Sequence, residues 1–432
     1  MIAPRGRSSA VPARYRLAGR APERVVEPAD ARELAAALAS AAAAGESVVA
    51  FGGGTLQRAG NPPQRYDVAL RTARLNAVHD YDPRDLTCGA GAGLTLAALA
   101  RTLAEHGQFL PLDAPLPRDA TLGGTLAAGW AGPRRAAYGR PRDLVIGATV
   151  ALADGTLAAS GGMVVKNVTG YDMAKLYVGS QGTLGLFARV NFKLLPAPAV
   201  QRFATSAFED EVRERLIAQV CALTIPPTAL LLRDTFAVPA DPEADSAATE
   251  IVALFEGSEA SVERAIRDYR SALGAAGVAE TRLCDDGAAR SAFQVVLDAY
   301  VATPATSFTL LGRGLPSRAP ERAARVRAAM QRSIARASGA AKGWETITDL
   351  LTGDVVARFG CRTPSAVEEA TAACTAMRDA LGSAQLIAAS DALWPHLDAW
   401  GPLPATLATM RALKTRFDPN GVLAPGRFVG GI

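Results

Sequence analysis

The sequence predicts an α+β protein built from two or three domains. Short apolar strand runs alternate with helical stretches up to residue 198, three of the connections are unusually rich in glycine, and the composition changes at Pro196-Ala197-Pro198. Beyond that point charged helices are interleaved with apolar strand runs. The 432 residues suffice for several cores, and 49% apolar with 20% charged residues is the balance of an ordinary globular protein.

Charge and cysteine usage exclude several classes. A net charge of +4 is small for this length, and no basic stripe studded with aromatics points to nucleic acid. The five cysteines, Cys88, Cys221, Cys284, Cys361 and Cys374, form no CxxC pair, so neither an iron–sulfur cluster nor a cysteine zinc site is encoded. Scattered thiols suit a reducing compartment. Residues 1–22 carry Arg5, Arg7, Arg14, Arg16 and Arg20 without an acid or an apolar stretch of secretory length, which predicts a flexible tail. The longest alanine-rich run, 34–44, is too short to cross a bilayer, so a cytoplasmic protein with no membrane segment is expected.

In chain order, residues 24–26 read as a strand, Asp30 as an N-cap, and 31–44 as a helix stopped by Gly45. Strand 48–51 then delivers Gly52-Gly53-Gly54. Runs at 68–70, 77–81 and 86–92 are further strands, and 95–106 is a helix with Leu96, Leu99 and Leu103 on one face and Gly107 at its end. Residues 115–117 are extended, and a glycine-opened helix runs over 121–128. Strands at 144–152 and 157–160 flank the Asp154-Gly155 turn of a hairpin. A helix at 173–178 and a strand at 186–195 complete the first unit. After it, helices are predicted at 210–222, 258–273, 318–337 and 406–417, strands at 251–255, 308–311 and 355–359, and a solvent loop at 238–245. The expected division is a tail at 1–22, a first domain at 23–198, a second α+β domain at 199–415 and a terminal segment at 416–432.

The chemistry is concentrated in the glycine-rich stretches. Glycine reaches positive φ without steric cost, so successive N–H groups can turn to one side and hold an anion, usually a phosphate. Phe51-Gly52-Gly53-Gly54-Thr55 ends a buried strand in such a loop, Thr121-Leu122-Gly123-Gly124-Thr125 repeats the pattern, and residues 161–185 supply a third. One such stretch reads equally as a tight turn; three point to convergence on one extended ligand. Literal nucleotide motifs fail: Gln57 and Leu94 stand where GxGxxG needs its last glycine, and no Gly-Lys-Ser/Thr occurs. The first loop also ends a β-α-β crossover instead of opening one. A nicotinamide Rossmann domain and a P-loop ATPase are both disfavoured.

Taken together, residues 49–55, 120–125, 139–143 and 161–196, with 417–421 and Ala424-Pro425-Gly426-Arg427, resemble the FAD domain of the vanillyl-alcohol-oxidase/p-cresol-methylhydroxylase (PCMH) family. Within it they look most like the FAD-binding subunits of bacterial glycolate oxidases. The resemblance implies a two-subdomain PCMH-type FAD-binding domain, an α+β cap or docking domain, and a terminal segment returning toward the flavin. It implies that Phe51, Gly52, Gly53, Gly54 and Thr55 with Thr121, Leu122, Gly123, Gly124 and Thr125 hold the diphosphate. Gly129, Gly170, Gly182, Gly185 and Leu186 would border ribose and adenine, and Tyr171 would border the cofactor. Lys166 is a nearby cation that reads equally as a partner of Asp172. Members that attach FAD through histidine place it in the first loop; here Thr55, Leu56, Gln57 and Arg58 stand there, so noncovalent FAD is expected. Ala424 occupies the place where the family usually has asparagine. The implied partners are a paralogous FAD-containing catalytic subunit, an iron–sulfur subunit and a small 2-hydroxy acid, with any membrane association made through those subunits.

Oxidising a 2-hydroxy acid needs a cation for the carboxylate and a base for the hydroxyl proton. Of the three histidines, His79 and His106 lie among apolar neighbours and read as structural, while His396 is the only one in the second domain. A two-histidine metal site cannot be built from it, and no metal is expected. Arg233, Arg313, Arg358 and Arg427 could grip a carboxylate; His396, Arg427 and Arg358 are the catalytic candidates. Three functions stay open: a flavoprotein subunit of a glycolate (2-hydroxyacid) oxidase complex, a non-catalytic FAD-containing scaffold, and a self-sufficient oxidase of another alcohol.

Overall fold

Strands that are apolar on both faces suit a parallel sheet covered on both sides. In the computed structural model, which describes residues 12–164, 170–238, 247–301, 306–336 and 341–432, Arg24–Val26, Val48–Phe51 and Val68–Arg71 form such a three-stranded parallel sheet. Val68–Arg71 lies in the middle, so the two strands joined by helix Ala31–Ala44 are not neighbours. Asp30 starts that helix by accepting from the N–H groups of Arg32 and Glu33 at 2.8 and 2.9 Å, and left-handed Gly45 ends it. Leu34, Leu38 and Ala41 seat it in a core with Val48, Val68 and Leu70.

A second, antiparallel sheet has the order Val78–Asp82, Thr87–Gly91, Leu186–Lys193, Val145–Ala151, Leu157–Gly161. Its third strand stops before the expected residue 195 because Leu195–Pro196 pair with Gln108–Phe109 instead. Helix Leu96–Ala104 buries Leu96, Leu99 and Leu103 in the core of this sheet.

Residues 200–389 supply one eight-stranded sheet whose pairings are all antiparallel. Its helices include two that the sequence reading did not predict, Asp286–Ala299 and Val367–Leu381. The second buries mostly small side chains, Ala370, Ala373, Cys374 and Ala380, with Met377 and Leu381, and so marks only a weak apolar stripe. The first brings Phe293 and Leu297 into one core with Leu112, Trp130 and Phe187, which binds the large sheet to the first domain.

Residues 12–22 depart from the expected flexible tail. Tyr15 is 4% exposed, meets Phe51 edge-on at 5.2 Å, and accepts on its carbonyl a 2.8 Å hydrogen bond from the Tyr66 hydroxyl. An aromatic ring buried this way gains more than water offers it. Residues 1–11, most of the predicted 238–245 loop and Lys166 lie outside the described residues.

The chain's end is pinned to its beginning. Helix Leu407–Phe417 gives way to Asp418, whose carboxylate accepts the N–H groups of Val422 and Leu423 at 2.9 and 2.7 Å. The tail then runs parallel to strand Val48–Phe51, with Val48 N–H donating to Val422 at 2.7 Å and Ala424 N–H to Val48 at 2.9 Å. No described helix is long and apolar enough to cross a membrane.

Candidate functional site

The glycine loop that ends strand Val48–Phe51 is wedged against the turn that opens helix Leu122–Ala128. A Cβ on Gly52 would overlap the Thr121 hydroxyl oxygen, and one on Gly53 would overlap the Asp119 carbonyl oxygen. These two glycines let the loops touch. Gly54 differs: its φ is +78°, and nothing lies within 4 Å of where its Cβ would stand. Among the described residues, Gly53, Gly54 and Thr55 donate none of their N–H groups to the protein. Three adjacent N–H groups without a protein acceptor are the donors that an anion cradle requires.

The second glycine stretch is built differently from expectation. Leu122 N–H donates to Leu94 at 2.9 Å, Gly123 N–H to Ala92 at 2.8 Å, Gly124 N–H to the Thr121 hydroxyl at 3.2 Å, and Thr125 N–H to Thr121 at 2.9 Å. Its amides are already used, so it shapes the wall instead of offering donors. Leu122 and Thr125 are buried behind that wall.

Between these loops and residues 181–187 lies a narrow cleft of about 90 Å³. Gly52, Gly53, Gly54, Thr55, Thr121, Gly123, Gly124, Gly182, Gly185 and Leu186 line it as expected. Phe51 faces away, stacked on Tyr66 at 6.2 Å. Gly170 and Tyr171 do not line the cleft, and Tyr171 is 92% exposed; Gly129 lines a neighbouring chamber. Gln57, Thr72, Ala92, Ala127, Ala128 and Gln181 are among the other wall residues and were missed from sequence as site residues. Gln181 has φ +57°, an uncommon conformation for a residue with a side chain, and its N–H is held by Ala127 at 2.8 Å.

Arg427 closes the cleft from the chain's other end. It is 3% exposed, donates from Nη2 to the Gln57 carbonyl at 2.6 Å and lies 5.8 Å from the Trp394 ring centre, while its Nη1 is buried without a partner. Burial pulls its pKa down to about 10, with Tyr66 opposing that shift. A buried cation lacking a carboxylate is costly unless an anion arrives. The other two catalytic candidates sit elsewhere: Arg358 pairs with Glu345 in the large sheet, and His396 is exposed and lines neither this cleft nor the adjoining chamber.

The adjoining chamber, about 340 Å³, shares Ala128 and Gln181 with the cleft and is lined by Arg135, Arg140, Arg142, Arg313 and Asp354. Arg135 Nη1 donates to Asp354 Oδ2 at 2.8 Å, and Asp354 Oδ1 is buried without a partner. Of this set, sequence singled out Arg313 as a carboxylate grip and quoted Arg140 and Arg142 only as part of the 139–143 stretch. Arg135 and Asp354 join them through tertiary structure, and no local spacing marks those two.

Free amides, a partnerless guanidinium and glycine-lined space suit an extended, doubly anionic dinucleotide, the class of ligand this fold is shaped to take. Residues 22–173 match the family model described as FAD binding domain, and residues 403–428 match FAD linked oxidases, C-terminal domain. Residues 22–173 are therefore an FAD-binding domain, as the glycine-rich segments led one to expect. It is 40% identical over 136 residues to glycolate oxidase subunit GlcE of Escherichia coli (strain K12), covering 31% of this chain and 38% of that protein. It is 29% identical over 214 residues to glycolate oxidase subunit GlcD of Bacillus subtilis (strain 168), covering 49% and 46%. These matches span less than half of each relative's length. An alkyldihydroxyacetonephosphate synthase shares the fold with a TM-score of 0.68 at 16% identity, over 94% of this chain and 77% of that one.

Proposed function

We propose that this chain is the FAD-binding subunit of a 2-hydroxyacid (glycolate) oxidase or dehydrogenase complex, oxidising glycolate to glyoxylate and passing electrons to an iron–sulfur partner. The reading divides the chain into an FAD-binding domain at 23–198, a cap at 199–415 and a returning segment at 416–432. The observation that carries it is the partnerless Nη1 of buried Arg427 in a cleft walled by glycine. Noncovalent FAD would be held by the N–H groups of Gly53, Gly54 and Thr55 and by Arg427. FAD supplies the two-electron acceptor that converting an alcohol carbon to a carbonyl requires.

The chain's own residues do the rest. The arginine-lined chamber holds the substrate carboxylate, because a guanidinium fork matches a carboxylate's two oxygens. Asp354, the one acid among the chamber's lining residues, takes the hydroxyl proton on its free Oδ1. A proton acceptor in hydrogen-bond reach contributes roughly 10²–10⁴-fold to rate. The test is anaerobic addition of glycolate to the yellow, FAD-loaded chain. Bleaching supports the reading. Persistent colour with every 2-hydroxy acid, alone and with co-purifying subunits, would favour a scaffold role and defeat it.

A further inference from the structure

The glycine loop and Arg427 reach the cleft from opposite ends of the chain, yet both are backed by one aromatic group. Phe51, the residue before Gly52, meets Tyr15 edge-on at 5.2 Å and stacks on Tyr66 at 6.2 Å. Tyr66 neighbours Arg427: burial raises the pKa of its hydroxyl, and the Arg427 charge opposes that rise. Trp394, whose ring centre lies 5.8 Å from the Arg427 guanidinium, belongs to the same core as Tyr15, Leu17, Phe51 and Tyr66. Residues 12–20 form the outer layer of this support. Tyr15 and Leu17 are 4% and 3% exposed, and Leu17 and Arg20 exchange N–H bonds to each other's carbonyls at 2.9 and 3.0 Å. Arg20 Nη1 donates to the Pro63 and Gln64 carbonyls at 2.9 and 2.5 Å. Gln64 N–H in turn donates to the Pro425 carbonyl at 2.9 Å, and Asn61 N–H to the Arg427 carbonyl at 3.0 Å. The segment thus bears on the glycine loop through Tyr15 and Phe51, and on the backbone that presents Arg427 through Arg20 and Gln64.

Three successive glycines hold no shape of their own, because glycine gives up more conformational freedom on ordering than any other residue. Their shape is imposed by the Thr121 and Asp119 contacts and by Phe51. We infer that residues 12–20 are a strap that sets the cofactor cradle, with Tyr15 as a positioning residue for FAD. Tyr15 does not line the cleft. It acts through Phe51 and Tyr66, fixing the Gly53, Gly54 and Thr55 amides relative to the Arg427 guanidinium. The inference rests on the proposed seating of the FAD diphosphate between those amides and Arg427. Coupling of this kind is reciprocal: a strap that strengthens FAD binding is itself held tighter when FAD is bound.

The experiment titrates the flavin-stripped full chain with FAD and follows hydrogen exchange with and without it. Tyr15→Ala is expected to bind FAD at least about tenfold more weakly. Tyr15→Phe keeps both the ring and the carbonyl that accepts from Tyr66, and should bind as the native chain does. Leu216→Ala, in the separate core of the cap, lowers Tm without touching the strap, so its FAD affinity should stay within about twofold of native. In the native chain, FAD should slow exchange of the Leu17 and Arg20 amides while leaving helix Arg213–Cys221 unchanged. This last measurement needs no variant and stands even where Tyr15→Ala fails to fold. A folded Tyr15→Ala that binds FAD as tightly as native, an equal loss of affinity in Leu216→Ala, or strap amides that exchange at one rate with and without FAD would overturn the inference alone. A native chain that takes up no FAD would overturn the cofactor reading with it.

Discussion

Gly53 and the carbonyl of Asp119 approach so closely that no side chain fits between them, although 66 positions of sequence separate the two residues. The cleft wall is therefore a contact between two backbones. In Gly53→Ala the added methyl must push the Asp119 turn away, and overpacking of this kind costs about 1–3 kcal/mol. We expect a lowered Tm and a larger proportional loss of bound FAD, measured by thermal melts and flavin absorbance. Gly54→Ala has room for its methyl but strains φ +78°, so a smaller loss of about 1 kcal/mol is expected.

Lys414 ties the terminal segment to the cleft. Its Nζ donates to Asp418 Oδ2 at 2.6 Å, to the Leu423 carbonyl at 2.7 Å and to the Thr183 carbonyl at 3.0 Å. Lys414→Met leaves the Asp418 carboxylate buried without its cation, a loss of roughly 3–5 kcal/mol. Urea denaturation should report it. Because the same clasp presents Arg427, FAD affinity should weaken alongside.

Asp349 gives the fold a pH dependence. Burial raises its carboxyl from 3.8 to about 6, against hydrogen bonds accepted from the N–H groups of Leu351 and Thr352. The folded chain thus binds more protons than the unfolded chain between those values, and stability falls as pH rises from about 4 to about 6. Asp349→Asn keeps an acceptor oxygen and removes the titration. At pH 8 it should be more stable than the native chain by up to about 3 kcal/mol, with the gap closing below pH 4, as read by denaturant titration at both pH values. A constant gap at both would contradict the assignment.

The first loop offers no histidine for a covalent flavin bond, since Thr55, Leu56, Gln57 and Arg58 follow its glycines. Acid precipitation should leave all yellow colour in the supernatant, measured by absorbance.

Much of this was legible along the chain because it is local. The Asp30 cap, the Gly45 stop, the Asp154-Gly155 hairpin and the glycine loop after Phe51 are each decided by neighbouring residues. The glycine pattern at Thr121–Thr125 was visible, but not that Leu94, Ala92 and Thr121 already consume its amides, because that depends on which strand passes beside it. Gln181 carries no local mark of its left-handed backbone. Arg135 looks like any arginine of an arginine-rich chain until Arg313 and Asp354 line the same chamber. Tyr15, in a run that reads as a polar tail, is buried because Phe51 and Tyr66 wait for it.

The most direct measurement is an equilibrium titration of the flavin-stripped, folded chain with FAD, beside Arg427→Gln. The account predicts one saturable site, with affinity weakened roughly 10–100-fold in the variant, the loss of charge-assisted hydrogen bonds. A folded native chain that takes up no FAD, or a variant that binds it as tightly as the native chain, would contradict the cleft as drawn.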